Sequence, residues 1–256
     1  MPSPTALPQA TAAPVSTVTP TVNWFPATPT ATRVPTTLAL TATPFITAIK
    51  GSLILQDNFS DKKLWQTLEG PNGNVAFGND ELSLAVAQSK ASLSSFRDNL
   101  TLDNFYLEID AYPSICQGDD QFGVLFRAVS TQDYYRYVMT CDHQLRLERL
   151  RGGEASVVQD WTPAVGLTGG PIASERLGVW ASGSDLRFYL NGVFQFNRRE
   201  PTFASGGLGV YARSMGNTIV TIEFSNLQVW QPGPAAPALP TQAATATPAA
   251  SNKKGK

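Results

Sequence analysis

Histidine is nearly absent from these 256 residues; His143 stands alone, so the chain cannot assemble a multi-histidine metal centre. It lies in the turn-like "CDHQ", where a polar turn residue is the simpler reading, and no Gly-x-Ser-x-Gly elbow supports a Ser-His-Asp triad. No apolar run approaches the ~20 residues of a membrane span, and no charged-then-apolar leader opens the chain. The "GG" pairs at Gly152 and Gly169 and the "GGLG" at Gly206 lack the lysine, the Ser/Thr and the following helix of a phosphate loop, so they read as turns. Convincing helical periodicity is missing as well.

Proline is scarce only in the middle: 14 of the 19 lie in residues 1–48 or 231–256. Residues 1–48 are mostly Thr, Ala and Pro with Arg33 as the single charge, too little apolar surface to offset backbone ordering entropy. They read as a disordered, extended linker, and 231–256 as a second Pro/Ala-rich tail with a basic end at Lys253, Lys254 and Lys256. A spacer of this kind normally separates an anchor or a second domain from a folded module. The expectation is therefore an exported, extracellular or cell-surface protein whose signal or anchor is not in this chain, with a membrane reached only through that upstream segment.

Residues 49–230 then form one domain. All 20 acidic residues fall in it beside fifteen Lys and Arg, a formal charge of −5 that argues against non-specific nucleic-acid binding. Short β-rich runs fill it, separated by turn residues. In "YYRYVMTC", Tyr135, Tyr137, Met139 and Cys141 share one face and Tyr134, Arg136, Val138 and Thr140 the other; "LRLERL" sets Leu145 and Leu147 against Arg146 and Glu148. Asn191 and Gly192 suit a type I′ hairpin turn, and "GND" at 78–80 is a second hairpin candidate. Roughly a dozen such strands predict an all-β, two-sheet antiparallel jelly-roll sandwich. Cys116 and Cys141 sit at strand ends flanking one hairpin, which favours a disulfide, with two buried free thiols as the alternative.

The opening "FSD…W" from Phe59 to Trp65, the "GVLFR" strand, the Tyr134–Tyr135 pair, the "YLNG" hairpin and the closing "TIVTIEFSNLQVW" resemble the concanavalin A-like lectin/glucanase superfamily. More narrowly they resemble laminin G-like or keto-disaccharide-hydrolase-like jelly rolls of bacterial surface proteins, over residues 53–230. The resemblance implies an outer, concave sheet face that meets carbohydrate. Tyrosine rings stack on sugar C–H surfaces while Arg and Glu bond hydroxyls, so Tyr134, Arg136, Arg146, Glu148, Arg127, Arg187 and Tyr189 are the ligand-binding candidates. Cross-strand pairing would decorate a purely structural face with the same residues. Trp65, Trp161, Trp180 and Trp230 read as core or rim.

Family-16 glycoside hydrolases on this fold place Glu-x-Asp and a second Glu along one strand. Here Glu108 and Asp110 are present, but Ala111, Tyr112 and Pro113 follow, so half of the catalytic pair is missing. Relatives with a structural calcium close on a Phe-Asp-Asn strand, whereas this chain has Phe224, Ser225 and Asn226, leaving Asp57 and Asp61 as weak metal candidates. The expectation is a non-catalytic surface module without cofactor that binds a glycan or a cell-surface protein. The alternatives are a glycoside hydrolase acting through Glu108 and Asp110 and a structural or receptor ectodomain with no small ligand.

Overall fold

The computed structural model describes residues 49–167, 169 and 173–233. The tails were expected over 1–48 and 231–256; Gln231 and Pro232 instead end the last strand, and 1–48 and 234–256 lie outside the described residues. Every regular element within them is a strand: β1 (Lys50–Asp57), β2 (Leu68–Gly70), β3 (Gly73–Phe77), β4 (Leu82–Val86), β5 (Ser92–Phe96), β6 (Phe105–Ile115), β7 (Gln121–Ser130), β8 (Asp133–Thr140), β9 (Gln144–Arg151), β10 (Glu154–Pro163), β11 (Glu175–Ser182), β12 (Asp185–Leu190), β13 (Val193–Arg199), β14 (Gly207–Arg213) and β15 (Val220–Pro232).

The strands pair antiparallel in two sheets. A nine-stranded sheet runs β13-β12-β11-β6-β15-β4-β3-β2, with β1 also on β15, and a six-stranded sheet runs β10-β9-β8-β7-β14-β5. Two-residue alternation explains why they face one another. Tyr135, Tyr137 and Met139 of β8 and Leu145 and Leu147 of β9 point inward, where they meet Leu107 and Ile109 of β6 and Phe188 of β12 in one buried cluster. Burying a side chain of that size contributes about 1.5–3 kcal/mol, so this shared interior is what holds the sandwich.

Hairpins form where small or amide residues allow it. Asn191 (φ 50°) and Gly192 (φ 75°) are both left-handed, as a type I′ turn demands, and Asp80 (φ 59°) turns β3 into β4. His143 (φ 60°) turns β8 into β9, donating its backbone N–H to the Thr140 carbonyl at 2.9 Å. Cys116 and Cys141 are bonded, their Cα atoms 5.8 Å apart, tying the end of β6 to the residue after β8. The described ends also meet: the Gly233 N–H donates to the Ile49 carbonyl at 2.8 Å, and Ile49 packs with Tyr106, Trp180 and Tyr189 on the outer side of the nine-stranded sheet.

Candidate functional site

Register places the outward residues of the six-stranded sheet in rows. Phe96, Gly209, Leu125, Arg136, Glu148 and Val157 lie opposite one another across six strands, and Tyr211, Gly123, Val138 and Arg146 form the next row. Gly123 is dictated by this arrangement, since a Cβ there would sit 2.0 Å from the Tyr137 carbonyl oxygen. Four of the seven candidates, Tyr134, Arg136, Arg146 and Glu148, thus share one face as the alternation required.

On that face the side chains pack tightly against one another. Arg136 is 6% exposed and Glu148 8%. Arg136 Nε donates to Glu148 Oε2 at 2.8 Å, its Nη2 reaches the same oxygen, and its guanidinium lies 4.3 Å from the Tyr211 ring centroid. Tyr134 meets Phe96 edge to face at 5.7 Å, and Leu125 and Val138 have no exposed surface in the same cluster. Burial pushes the Tyr134 hydroxyl above its ordinary pKa. The charges alternate along a chain: Arg146 stands 3.5 Å from Glu148 and 3.8 Å from Asp160, and 5.1 Å over Trp161. Facing outward therefore did not leave Arg136 and Glu148 wet; each is held by the other across the strands. Arg146 and Trp161, both half-buried, are the accessible margin. Tyr211 was missed as a member, although "GLGVYAR" carries the same alternation; Trp161, read as core or rim, stands at the margin.

The other three candidates lie elsewhere. Arg127 (φ 49°) interrupts the β7 ladder, turns inward and is fully buried. It donates to the Phe203 carbonyl at 3.0 Å and the Asp103 carbonyl at 2.9 Å, stapling two loops, and burial lowers its pKa. Arg187 and Tyr189 belong to β12, in the opposite sheet, and face its outer side with Tyr106 and Trp180; Arg187 lies 5.2 Å from the Trp180 ring. One contiguous seven-residue groove is not formed.

The carboxylates of "LEIDAY" share that second face, each with its own cation. Glu108 is 3% exposed, accepts from Tyr106 at 2.6 Å and pairs with Lys50 at 2.8 Å. Asp110 accepts from Arg176 Nε at 2.6 Å, Arg176 Nη2 at 2.9 Å and Asn226 at 3.0 Å. The bidentate bond to Asp110 raises the Arg176 pKa, and burial followed by Glu108 pushes Tyr106 well above the usual tyrosine range. Ser225 stands at the central position of the closing Phe-Ser-Asn, and the Asn226 beside it braces Asp110.

Asp57 is likewise engaged within the fold. It accepts from the Phe59 N–H at 2.8 Å, Trp65 Nε1 at 3.0 Å and Arg97 Nε at 2.9 Å. Asp61 is exposed and caps the Lys63 N–H at 3.1 Å. Among the described residues no group of three acidic, His or Cys side chains gathers as a metal site.

No protein-family model matches the sequence, and no curated protein matches it. Among solved structures, the chain is similar to the carbohydrate binding module CBM66 from Bacillus subtilis, at 16% identity and a TM-score of 0.53 over 65% of this chain and 95% of that one. A protein of unknown function with a galectin-like fold from Bacillus subtilis aligns at 14% identity and a TM-score of 0.54, over 72% and 98% of the two chains. A Bacillus licheniformis beta-glucanase aligns at 10% identity and a TM-score of 0.53, over 71% and 99%. The fold is the concanavalin A-like jelly roll.

Proposed function

We propose that this protein is a non-catalytic carbohydrate-binding module that meets its glycan on the outward side of the six-stranded sheet. The observation that carries the choice of binding over hydrolysis is the state of Glu108 and Asp110. A retaining hydrolase needs one free nucleophilic carboxylate and one protonated acid. Here Lys50 and Tyr106 occupy the first carboxylate, Arg176 and Asn226 the second. Support for the binding face comes from its chemistry: Arg146 over Trp161 at one margin and Phe96 against Tyr134 at the other, on a floor whose charges are already paired. A disulfide and a fold shared with a carbohydrate binding module favour an extracellular setting.

A glycan array probed with the whole protein should give hits that Arg146→Ala with Trp161→Ala weakens at least tenfold. Binding untouched by that pair would remove the margin from the site. A polysaccharide panel should yield no reducing sugar; release that Glu108→Gln abolishes would replace this reading with the hydrolase.

A further inference from the structure

An open cleft of about 230 Å³ lies at the β5 end of the six-stranded face, between the segment after β5 and the turn joining β7 to β8. Phe96 and Ala128 contribute its apolar surface, and Asp98, Asn99, Thr101 and Thr131 line its rim. None of these was among the candidates read from the sequence.

Two observations separate this cleft from the sheet faces. First, its walls are pinned. The Arg97 N–H donates to the Leu208 carbonyl at 2.9 Å, Leu102 and Gly206 exchange backbone hydrogen bonds at 2.9 and 3.0 Å, and buried Arg127 staples the Asp103 and Phe203 carbonyls just behind. Gly206 (φ 156°) permits this approach, because a Cβ there would stand 2.4 Å from the Arg127 carbonyl carbon. A rigid cleft loses little freedom when it binds. Second, several of its polar side chains are unspent, although Ser130 and Arg97 are bonded to Asp133 and Asp57. Asn99, Thr101 and Thr131 make no side-chain hydrogen bond to any described residue, and Asp98 uses one oxygen, toward Gln66 at 3.1 Å. On the sheet faces the charged side chains are largely consumed by one another.

We infer that this cleft holds one neutral sugar residue, most simply the end of the glycan chain, with its C–H surface toward Phe96 and its hydroxyls on Asn99, Thr101, Thr131 and the free oxygen of Asp98. The inference rests on the glycan-binding reading above. Size argues for a single ring, since the cleft is smaller than the ~300–1,000 Å³ of sites for drug-sized ligands. Charge argues for neutrality. Arg97, the lining cation, is committed to Asp57 at 2.9 Å, so Asp98 sets the sign and repels a carboxylate or sulfate. Hydroxyls and amides suit sugar hydroxyls because each can both donate and accept.

The test has two stages. The whole protein is first placed on a glycan array, then examined by saturation-transfer NMR against neutral methyl glycosides and methyl uronates. The expected result is transfer from a neutral glycoside, at least tenfold stronger binding than its uronate, and at least tenfold loss in Asn99→Gly/Thr101→Ala/Thr131→Ala. Glycine at 99 keeps the left-handed backbone (φ 55°) without strain. Thr131→Trp, on an exposed turn, fills the cleft instead of emptying it and should lose binding too, with unfolding midpoints confirming that both variants fold. Array binding that survives both variants, or a preference for uronates, overturns the cleft and leaves the glycan-binding module standing. No glycan on the array overturns both.

Discussion

Replacing Glu148 by leucine tests whether the six-stranded face is closed. The carboxylate and the Arg136 guanidinium are both at least nine-tenths buried, with side chains 10% and 7% exposed. Surface ion pairs contribute ~0–1 kcal/mol, whereas removing one partner of a buried pair costs about 3–5 kcal/mol because the other charge stays stranded. In Glu148→Leu, Arg136 keeps only the Tyr211 ring face, 4.3 Å away. Arg136→Leu should hurt less, since Glu148 retains Arg146 at 3.5 Å. The double replacement strands neither member of the pair and extends the apolar cluster of Phe96, Leu125, Val138 and Leu150, so it should return to within about 1 kcal/mol of the parent or exceed it. Urea unfolding followed by tryptophan fluorescence measures all four corners. For a domain of this size each kcal/mol moves the melting temperature by about 2–4 °C, so Glu148→Leu should melt roughly 6–20 °C lower. A loss below about 1 kcal/mol in Glu148→Leu would mean that water reaches the pair, and the closed-floor account would fail.

Two further outcomes follow from burial and covalent closure. Burial holds Tyr106, Tyr134, Tyr135, Tyr137 and Tyr189 above the ordinary tyrosine pKa. A raised folded pKa contributes stability that is complete below the unfolded value of about 10 and is lost as pH climbs toward the folded value. Phenolate absorbance should therefore rise in two stages, the later one coinciding with alkaline unfolding; a single reversible step near pH 10 for all seven tyrosines would contradict the buried assignment. The Cys116–Cys141 bridge spans 25 residues of sequence, for which loop-closure entropy gives ~3.5 kcal/mol. Cys116→Ala/Cys141→Ala should lower unfolding stability by about that amount in oxidising buffer, and a reductant that opens the parent's bridge should bring the parent down to the variant; an unchanged urea midpoint in oxidising buffer would show that the bridge does not constrain the unfolded chain.

Much of the fold was legible because alternation is a local property. "YYRYVMT" and "LRLERL" announce which side chains go inward, and Tyr135, Tyr137, Leu145 and Leu147 do. Asn191–Gly192 announces its own turn, since few other residue pairs accept two left-handed conformations. The cleft was illegible for the opposite reason. Its walls join the β5–β6 connection, the β7–β8 turn and Leu208, brought together by long-range bonds such as Leu102 to Gly206.

The amino-acid order alone determined the all-β architecture and the sidedness of strands such as β8 and β9, because these depend on neighbours one or two residues away, and it favoured the cysteine pair across a single hairpin. Which outward residues share a surface was decided only by tertiary pairing: Arg187 and Tyr189 alternate as Tyr134 and Arg136 do, yet β12 joins β11 and β6 in the opposite sheet. Arg127 left its strand pattern through one left-handed residue and became a staple instead of a contact. Whether water reaches an outward side chain was settled there too, since an arginine's exposure depends on the partners that distant strands set beside it.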